Sequence, residues 1–545
     1  MSRSGSSGTT RRDFLRMGAL SGAAAATILV LPRPLLAIVD GRPEPVPPIR
    51  DPRLRALAAR ALDAARAAGA SYADVRLTHT HFRDFGGRNV HLSESMEVGV
   101  RALVNGNWGF ASSPVWSPDE LARLGRSAAE MARITPSGVE RRTELAPVAA
   151  RTEGHWETPV AIDPIALHPH EVIDYVAALT LFTKRNPRVR GIQTDVSFRT
   201  QEKALATSDG AWVTQRTTLG QGSFAFSVEN AAGTAGAGRD LGETLFTPQG
   251  RGWEMFRDAD ARGEIRRLFE EMDAEMALPM KPVEVGRYGA VLDATSMARL
   301  LDGTLGRATE FDRAMGYEAN AGGSSYIDRP LEMVGSYEAA SKLVSVRANR
   351  NEVGAAATIG WDDEGVPAGR FDLVRDGVLI DFQTTREGAG LLGEYYGKQR
   401  VERASRGCAA APTALEAPMT HTANLALVPG MSAGGFDALV QSLGEGVAIQ
   451  RARFGLDWQA SSGTGEGAAF EVKGGKPVAR IIGAGMLFRA TDLWKSVRAL
   501  GDAGSTARIG LRAAKGEPAQ HQMHSVTAVP ALVEGLTIID PRRRA

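Results

Sequence analysis

Apolar and polar positions alternate along the chain with two periods, near 3.6 and near 2, and the switches between them mark its elements. Residues 52–68 are an Ala/Arg/Leu run with apolar positions at helical spacing, preceded by Asp51 as a cap. Residues 69–77 turn into a strand. Strand-like runs follow at 89–95 and 96–104, then Asn105-Gly106 as a hairpin turn and a return strand at 108–113. Ser117-Pro-Asp-Glu starts a helix that reaches about residue 134. Together these predict a first α/β unit over 52–135. After a loop-like stretch at 136–165, a helix is predicted over 170–184. Strands are predicted over 189–198, 202–208, 212–218 and 220–229, and a helix over 258–276, giving a second unit over 163–280.

From residue 283 the pattern becomes mostly strand-like, to about 540. A strand at 286–292 precedes an amphipathic stretch, 300–326, which reads as a helix running into a Gly/Ser loop. Residues 371–380 predict a hairpin around Asp376-Gly377. The expected fold is α+β: two smaller N-terminal α/β units, then a larger β-rich C-terminal domain packed around a central helix.

Several motifs, in order, resemble the TldD/PmbA family of metallopeptidases. They are Tyr72-Ala-Asp-Val-Arg76, Glu310-Phe-Asp-Arg313, Gly316-Tyr-Glu-Ala-Asn320, Gly323-Ser-Ser325, Asp362-Asp-Glu-Gly-Val-Pro367, Pro418-Met-Thr-His-Thr-Ala-Asn-Leu425, Lys473-Gly-Gly-Lys-Pro-Val-Ala-Arg480 and Gly483-Ala-Gly-Met-Leu-Phe488. The resemblance implies metal-dependent peptide cleavage in an enclosed chamber, with zinc as the metal and dimeric assembly. It also implies a His-Glu-x-x-x-His motif and a distant Cys as the metal site. Here Asp302 stands at the first His, Gly303 at the Glu, Arg307 at the second His and Ala513 at the Cys, while Lys515 is kept.

Those substitutions remove the chemistry that zinc hydrolysis needs. Zinc takes imidazole, thiolate or carboxylate ligands and keeps a position for water. A guanidinium has no lone pair to offer, and glycine cannot be a base. Positions 302 and 307 are also about 140° apart on a straight helix, so a site built on them needs a local distortion, for which Gly306 is the expected place. Asp302 and Arg307 are then expected either to pair across the bend or to leave Arg307 on Glu310 one turn on. No metal or other cofactor is expected. His421, His521 and His524, in segments that approach the pocket, are the candidate replacement ligands.

Three readings follow: a metallopeptidase homologue with replaced ligands, a non-catalytic peptide-binding or partner subunit of a TldD/TldE-like dimer, and a metal-independent enzyme using Asp302, Arg307 and Glu310. Expected partners are a peptide or unfolded polypeptide and a second subunit, the same chain or a paralogue.

Other features change this picture little. A net charge of +1 carries no nucleic-acid footprint. Thr10-Arg-Arg-Asp-Phe-Leu-Arg16, followed by an apolar run to about residue 31 and Leu35-Leu-Ala37, matches a twin-arginine signal over 1–37. A Pro-rich linker follows over 38–51. The chain is therefore expected to be exported to the periplasm or another extracytoplasmic space, with no stable membrane span. The single cysteine, Cys408, reads as a small filler residue. His79-x-His81, His168-Pro-His170 and His521-x-x-His524 can chelate a metal, although such pairs are more often packing. Gly430-Met-Ser-Ala-Gly434 matches the hydrolase elbow without its strand–turn setting, so Ser432 reads as a turn or cap. Ser461-Ser-Gly-Thr-Gly-Glu-Gly467 lacks the Lys-Ser/Thr of a phosphate loop and reads as a loop between strands. Asp362, Asp363 and Glu364 read as a hydrogen-bonded turn.

Overall fold

The computed structural model describes residues 47–542 other than 87, 88, 136–142, 149–151, 231, 232, 234, 235, 432 and 433. The twin-arginine segment, most of the linker and Ser432 lie outside the described residues.

One seven-stranded sheet joins the two N-terminal units. It contains β1 (Tyr72–Gly86), β2 (Asn89–Val104), β3 (Asn107–Ser113), β4 (Glu153–Glu157), β5 (Val189–Thr207), β6 (Trp212–Glu229) and β7 (Gly236–Asp240). The order is β3-β2-β1-β5-β6-β4, and β7 also pairs with β6. The join is β1 against β5, antiparallel from Asp74–Thr207 to Asp84–Ser197. The runs expected as two strands at 89–104, 189–208 and 212–229 are in each case one strand. The polar residues that suggest a break, such as Thr200 and Gln201, are buried against other parts of the protein. The two hairpin turns sit where expected: Asn105-Gly106 and Asp376-Gly377 both have positive φ at both positions, the geometry that matches strand twist in a two-residue turn.

Helices cover one face of this sheet in two patches. The first patch is α1 (Pro52–Ala67), capped by the Asp51 carboxylate, and α2 (Pro118–Ile134), capped by Ser117. They pack on Val75, Leu77, Val98 and Ala204. Gly125 lets them touch, since a Cβ there would lie 2.1 Å from the Ala61 carbonyl. The second patch, α3 (Pro169–Thr183) and α4 (Ala261–Ala277), covers Phe85, Val196 and Phe198.

The other face of the sheet meets the C-terminal part through charge. Arg76 and Lys203 reach Asp363 at 3.3 and 2.5 Å, and Arg101 bridges Asp74 (2.7 Å) and Glu364 (3.2 Å). All of these side chains are largely buried.

The C-terminal part has two larger sheets. In one, the strands Gly446–Leu456, Gly286–Leu292, Ala531–Ile539, Gly485–Arg489 and Ser462–Lys473 pair in that order, and the last pairs back to the first. The pairing closes on itself and removes two sheet edges. Residues 462–467, expected as a loop, lie in this ring as strand. Gly463 and Gly465 stand there because a Cβ would come within 3 Å of Leu456 and Phe488, or of Phe454 and Met486. The other sheet has six strands, ending in Asn424–Leu427, Gln520–Ala528 and Ala507–Lys515. Between the two sheets lies α5 (Ala294–Leu301), with Met297, Leu300 and Leu301 in one core with Leu425, Ile449 and Val526. Among the described residues no helix is long and apolar enough to cross a membrane.

Candidate functional site

The central helix is not continuous. α5 starts on the Asp293 cap, whose carboxylate accepts from the Ser296 N–H at 2.9 Å, and gives way to a π-helical turn over Asp302–Gly306. A short helix, Phe311–Ala314, follows, and 315–322 are turns rather than helix. The distortion therefore falls where the five-residue spacing and Gly306 placed it. Side chains around it stabilise the wider turn: Trp494 Nε1 donates to Thr304 Oγ1 (2.9 Å), Thr309 Oγ1 to the Leu305 carbonyl (2.7 Å) and Gln383 Nε2 to the Gly306 carbonyl (2.8 Å). Such one-turn insertions cluster at functional sites.

Asp302, Gly303 and Arg307 line a cavity of about 310 Å³ together with Arg299, Arg453 and Trp458. Neither expected pairing of Arg307 forms. Asp302 Oδ1 lies 2.7 Å from Nε2 of the buried His524, and Glu310 points to a different cluster. Among the described residues Arg307 has no carboxylate partner, whereas Arg299 and Arg453 share Glu243 at 3.1 and 2.6 Å. Gly303 has Leu456 over it, and a Cβ would come within 2.5 Å of Leu456 Cδ1. Ala513 is buried on the strand Ala507–Lys515, opposite Gln522.

Next to this cavity is a buried ionic cluster. Lys515 Nζ lies 2.9 Å from Glu310 Oε2, 2.8 Å from Asp312 Oδ1 and 2.8 Å from Glu318 Oε1. Arg313 bridges Glu310 (3.3 Å) and Glu318 (3.1 Å) and donates to the Gly322 carbonyl. Thr422 Oγ1 donates to Glu310 Oε1 at 2.6 Å. Burial alone would raise the Glu310 carboxyl, but Lys515 and Arg313 outweigh it and hold it down at about 2. For Glu318 burial wins, and its carboxyl sits above the ordinary range. His421 is pushed down to about 4 by burial and by Lys515, so its ring is neutral; its Nε2 lies 3.2 Å from Gln520 Oε1. Glu310, Asp312 and Glu318 are close enough to hold a cation, and the Lys515 ammonium occupies that position. Sequence reasoning noted Lys515 but not its partners, although all three carboxylates lie in the 300–326 stretch.

The remaining candidates are dispersed. His521 is exposed and apart from His524, because successive side chains of a strand alternate faces and residues three apart lie on opposite ones. His168 caps α3 and stacks on His170. Cys408 is fully buried, its thiol pushed up to about 12 by burial. Asp362 accepts from the N–H groups of Glu364, Val366 and Ala409, so this acidic turn is hydrogen-bonded throughout.

Comparison with known proteins matches the same segments. The profile of the PmbA/TldA metallopeptidase C-terminal domain matches residues 285–539, and that of domain 1 of the same family matches 73–132; together they cover more than half of the chain. A metalloprotease of Methanocaldococcus jannaschii is 23% identical over 410 residues, covering 72% of this chain and 80% of that one. A metalloprotease of Methanothermobacter thermautotrophicus is 27% identical over 372 residues, covering 67% and 71%. The crystal structure of TldE from Thermococcus kodakarensis has the same fold, with a TM-score of 0.66 at 12% identity, covering 88% of this chain and 98% of that one. On these matches and the ordered motifs, the chain belongs to the TldD/PmbA family.

Proposed function

We propose that this chain is a peptide-binding member of its family that does not hydrolyse peptides through a bound metal, and that it works beside a second subunit. The observation that carries the reading is the Asp302–His524 pair with Arg307 beside it. One carboxylate and one imidazole approach each other at 2.7 Å, while the other two positions present a guanidinium and a methyl group. Zinc in a hydrolytic site needs three protein ligands and an open fourth position. The residues present do not fit it.

What the cavity retains is a shape and a positive charge. Arg307, with Arg299 and Arg453 nearby, suits the carboxylate end or an acidic side chain of a peptide, which a guanidinium grips with two parallel hydrogen bonds. The fold likeness to TldE favours a partner role, in which a paralogue with an intact His-Glu-x-x-x-His motif supplies the chemistry. Export rests on the twin-arginine segment and is tested by cell fractionation of the full chain.

The decisive assay compares cleavage and binding of one fluorescent peptide library, with and without added Zn²⁺ and with and without the co-expressed paralogue. Purified alone, the chain binds and does not cleave, and Arg307→Met weakens binding roughly tenfold or more, the loss of a charge-assisted hydrogen bond. Zinc-dependent cleavage by the chain alone, abolished by Asp302→Asn or His524→Ala, overturns the reading.

A further inference from the structure

The helix-covered face of the N-terminal sheet has a polar seam. On β1 the odd-numbered residues share this face. Val75 and Leu77 lie under α1 and α2, and Phe85 lies in the core with α3 and α4. Between these patches the same face carries His79 and His81. The register puts Glu94 of β2 opposite His81 and Glu202 of β5 opposite His79. Two imidazoles and two carboxylates from three adjacent strands therefore converge in the gap between two apolar layers, where burying apolar side chains would have been the simpler way to fill the face.

We propose that His79, His81 and Glu94 form a binding site for a borderline divalent metal ion, Zn²⁺ by ligand chemistry, with Glu202 orienting the His79 ring. The three donor atoms lie within 4.8 Å of one another. His79 Nε2 is 2.6 Å from Glu94 Oε1, and the two imidazole centroids are 4.3 Å apart. Around a tetrahedral zinc, donors at 2.0–2.2 Å stand about 3.4 Å from one another, so small side-chain rotations bring the three donors to the metal. Glu94 is free to make them, its side chain being 46% exposed. His79 Nδ1 lies 3.6 Å from Glu202 Oε2. A small turn of the ring closes this to a hydrogen bond, and a carboxylate on the second nitrogen of a ligating imidazole fixes the ring and strengthens the ligand.

The other charged neighbours are Arg216, 3.9 Å from Glu202, and Asp163, which holds that arginine at 2.6 Å. Two imidazoles and one carboxylate leave a fourth position for water. The site is separate from the Asp302–His524 pair and rests on neither reading of it.

The test uses the full-length chain, stripped with a chelator and titrated with Zn²⁺ by calorimetry, then with Co²⁺ by visible absorption. The wild type is expected to take up one ion and to show the intense visible bands of tetrahedral Co²⁺. His81→Ala and His79→Ala lose the bands and at least tenfold in Zn²⁺ affinity. Glu202→Gln keeps the stoichiometry and loses 10–100-fold, the usual effect of an orienting partner. Asp302→Asn leaves binding unchanged, which separates this site from the central cavity. Far-UV circular dichroism confirms that each variant is folded, and His81→Gln serves as a second, closer replacement. Zn²⁺ binding by the His79→Ala/His81→Ala double variant equal to that of the wild type, or no binding by the wild type, overturns the proposal.

Discussion

Replacing Lys515 by Met tests the electrostatics of the central cluster directly. Met keeps the length of the side chain and removes its charge. The ammonium is fully enclosed and lies 2.8–2.9 Å from three carboxylates. Taking one partner from a buried ion pair costs about 3–5 kcal/mol, because the remaining charge stays out of water. Arg313 still holds Glu310 and Glu318, and the Thr420 N–H still reaches Asp312 at 3.3 Å. The cluster nevertheless goes from net −1 to net −2. A loss in that range is read by urea titration with circular dichroism at pH 7.5. The pH dependence adds a sign. In the wild type Glu310 is held at about 2, below its unfolded value of about 4.3, so its contribution is present above pH 4 and fades as the pH falls toward 2. In the variant the crowded carboxylates titrate above their unfolded values. The folded state then binds the extra protons, and stability rises as the pH falls from 7.5 to 5.5. Mn²⁺ or Ca²⁺, which take oxygen ligands, should also restore part of the loss by entering the vacated position. A variant within 1 kcal/mol of wild type, or one whose deficit is the same at both pH values, refutes the argument.

Three further experiments probe other parts of the structure. A double-mutant cycle on Asp302→Asn and His524→Ala should show a coupling of about 0.5–3 kcal/mol in the same unfolding assay, while Asp302→Asn with Arg307→Met should show less than about 0.5. Asp363→Asn removes the anion shared by Arg76 and Lys203 and should cost about 3–5 kcal/mol; limited proteolysis should then cut between the N-terminal sheet and the C-terminal part, and an unchanged digest would count against a structural role for that contact. Arg350 is 4% exposed and lines a polar cavity of about 100 Å³, and among the described residues it has no hydrogen-bond partner for its Nε and no carboxylate at ion-pair distance. An unpaired buried cation is a penalty, so Arg350→Met should raise the melting temperature, and a fall of several degrees would show that the guanidinium is needed where it is.

What the sequence made legible, and what it did not, divides by the distance over which the physics acts. Caps such as Asp51 and Ser117, the Asn-Gly and Asp-Gly turns, and the strain of a five-residue spacing on a helix are decided within a few residues, and each is found where the local pattern puts it. The strand breaks expected inside 189–208 and 212–229 rest on Thr200, Gln201 and Thr218 looking like surface positions; Gln201 instead reaches the Pro412 carbonyl of the C-terminal part, and the Thr200 and Thr218 hydroxyls meet each other in the interior across β5 and β6, contacts that no local rule reveals. Gly463 and Gly465 read as loop for a related reason, since a glycine that admits Phe488 or Phe454 looks the same as one that makes a turn. The site shows this most sharply. Asp302 and Arg307, five residues apart, were the natural pair to consider, but the partner Asp302 has is His524, 222 residues away. Lys515 reaches Glu310 across 205 residues. A buried charge has to find an opposite charge wherever the fold brings one. Asp302 is accordingly met by His524 and Glu310 by Lys515, each from a distant strand, while Arg307 is left facing the cavity.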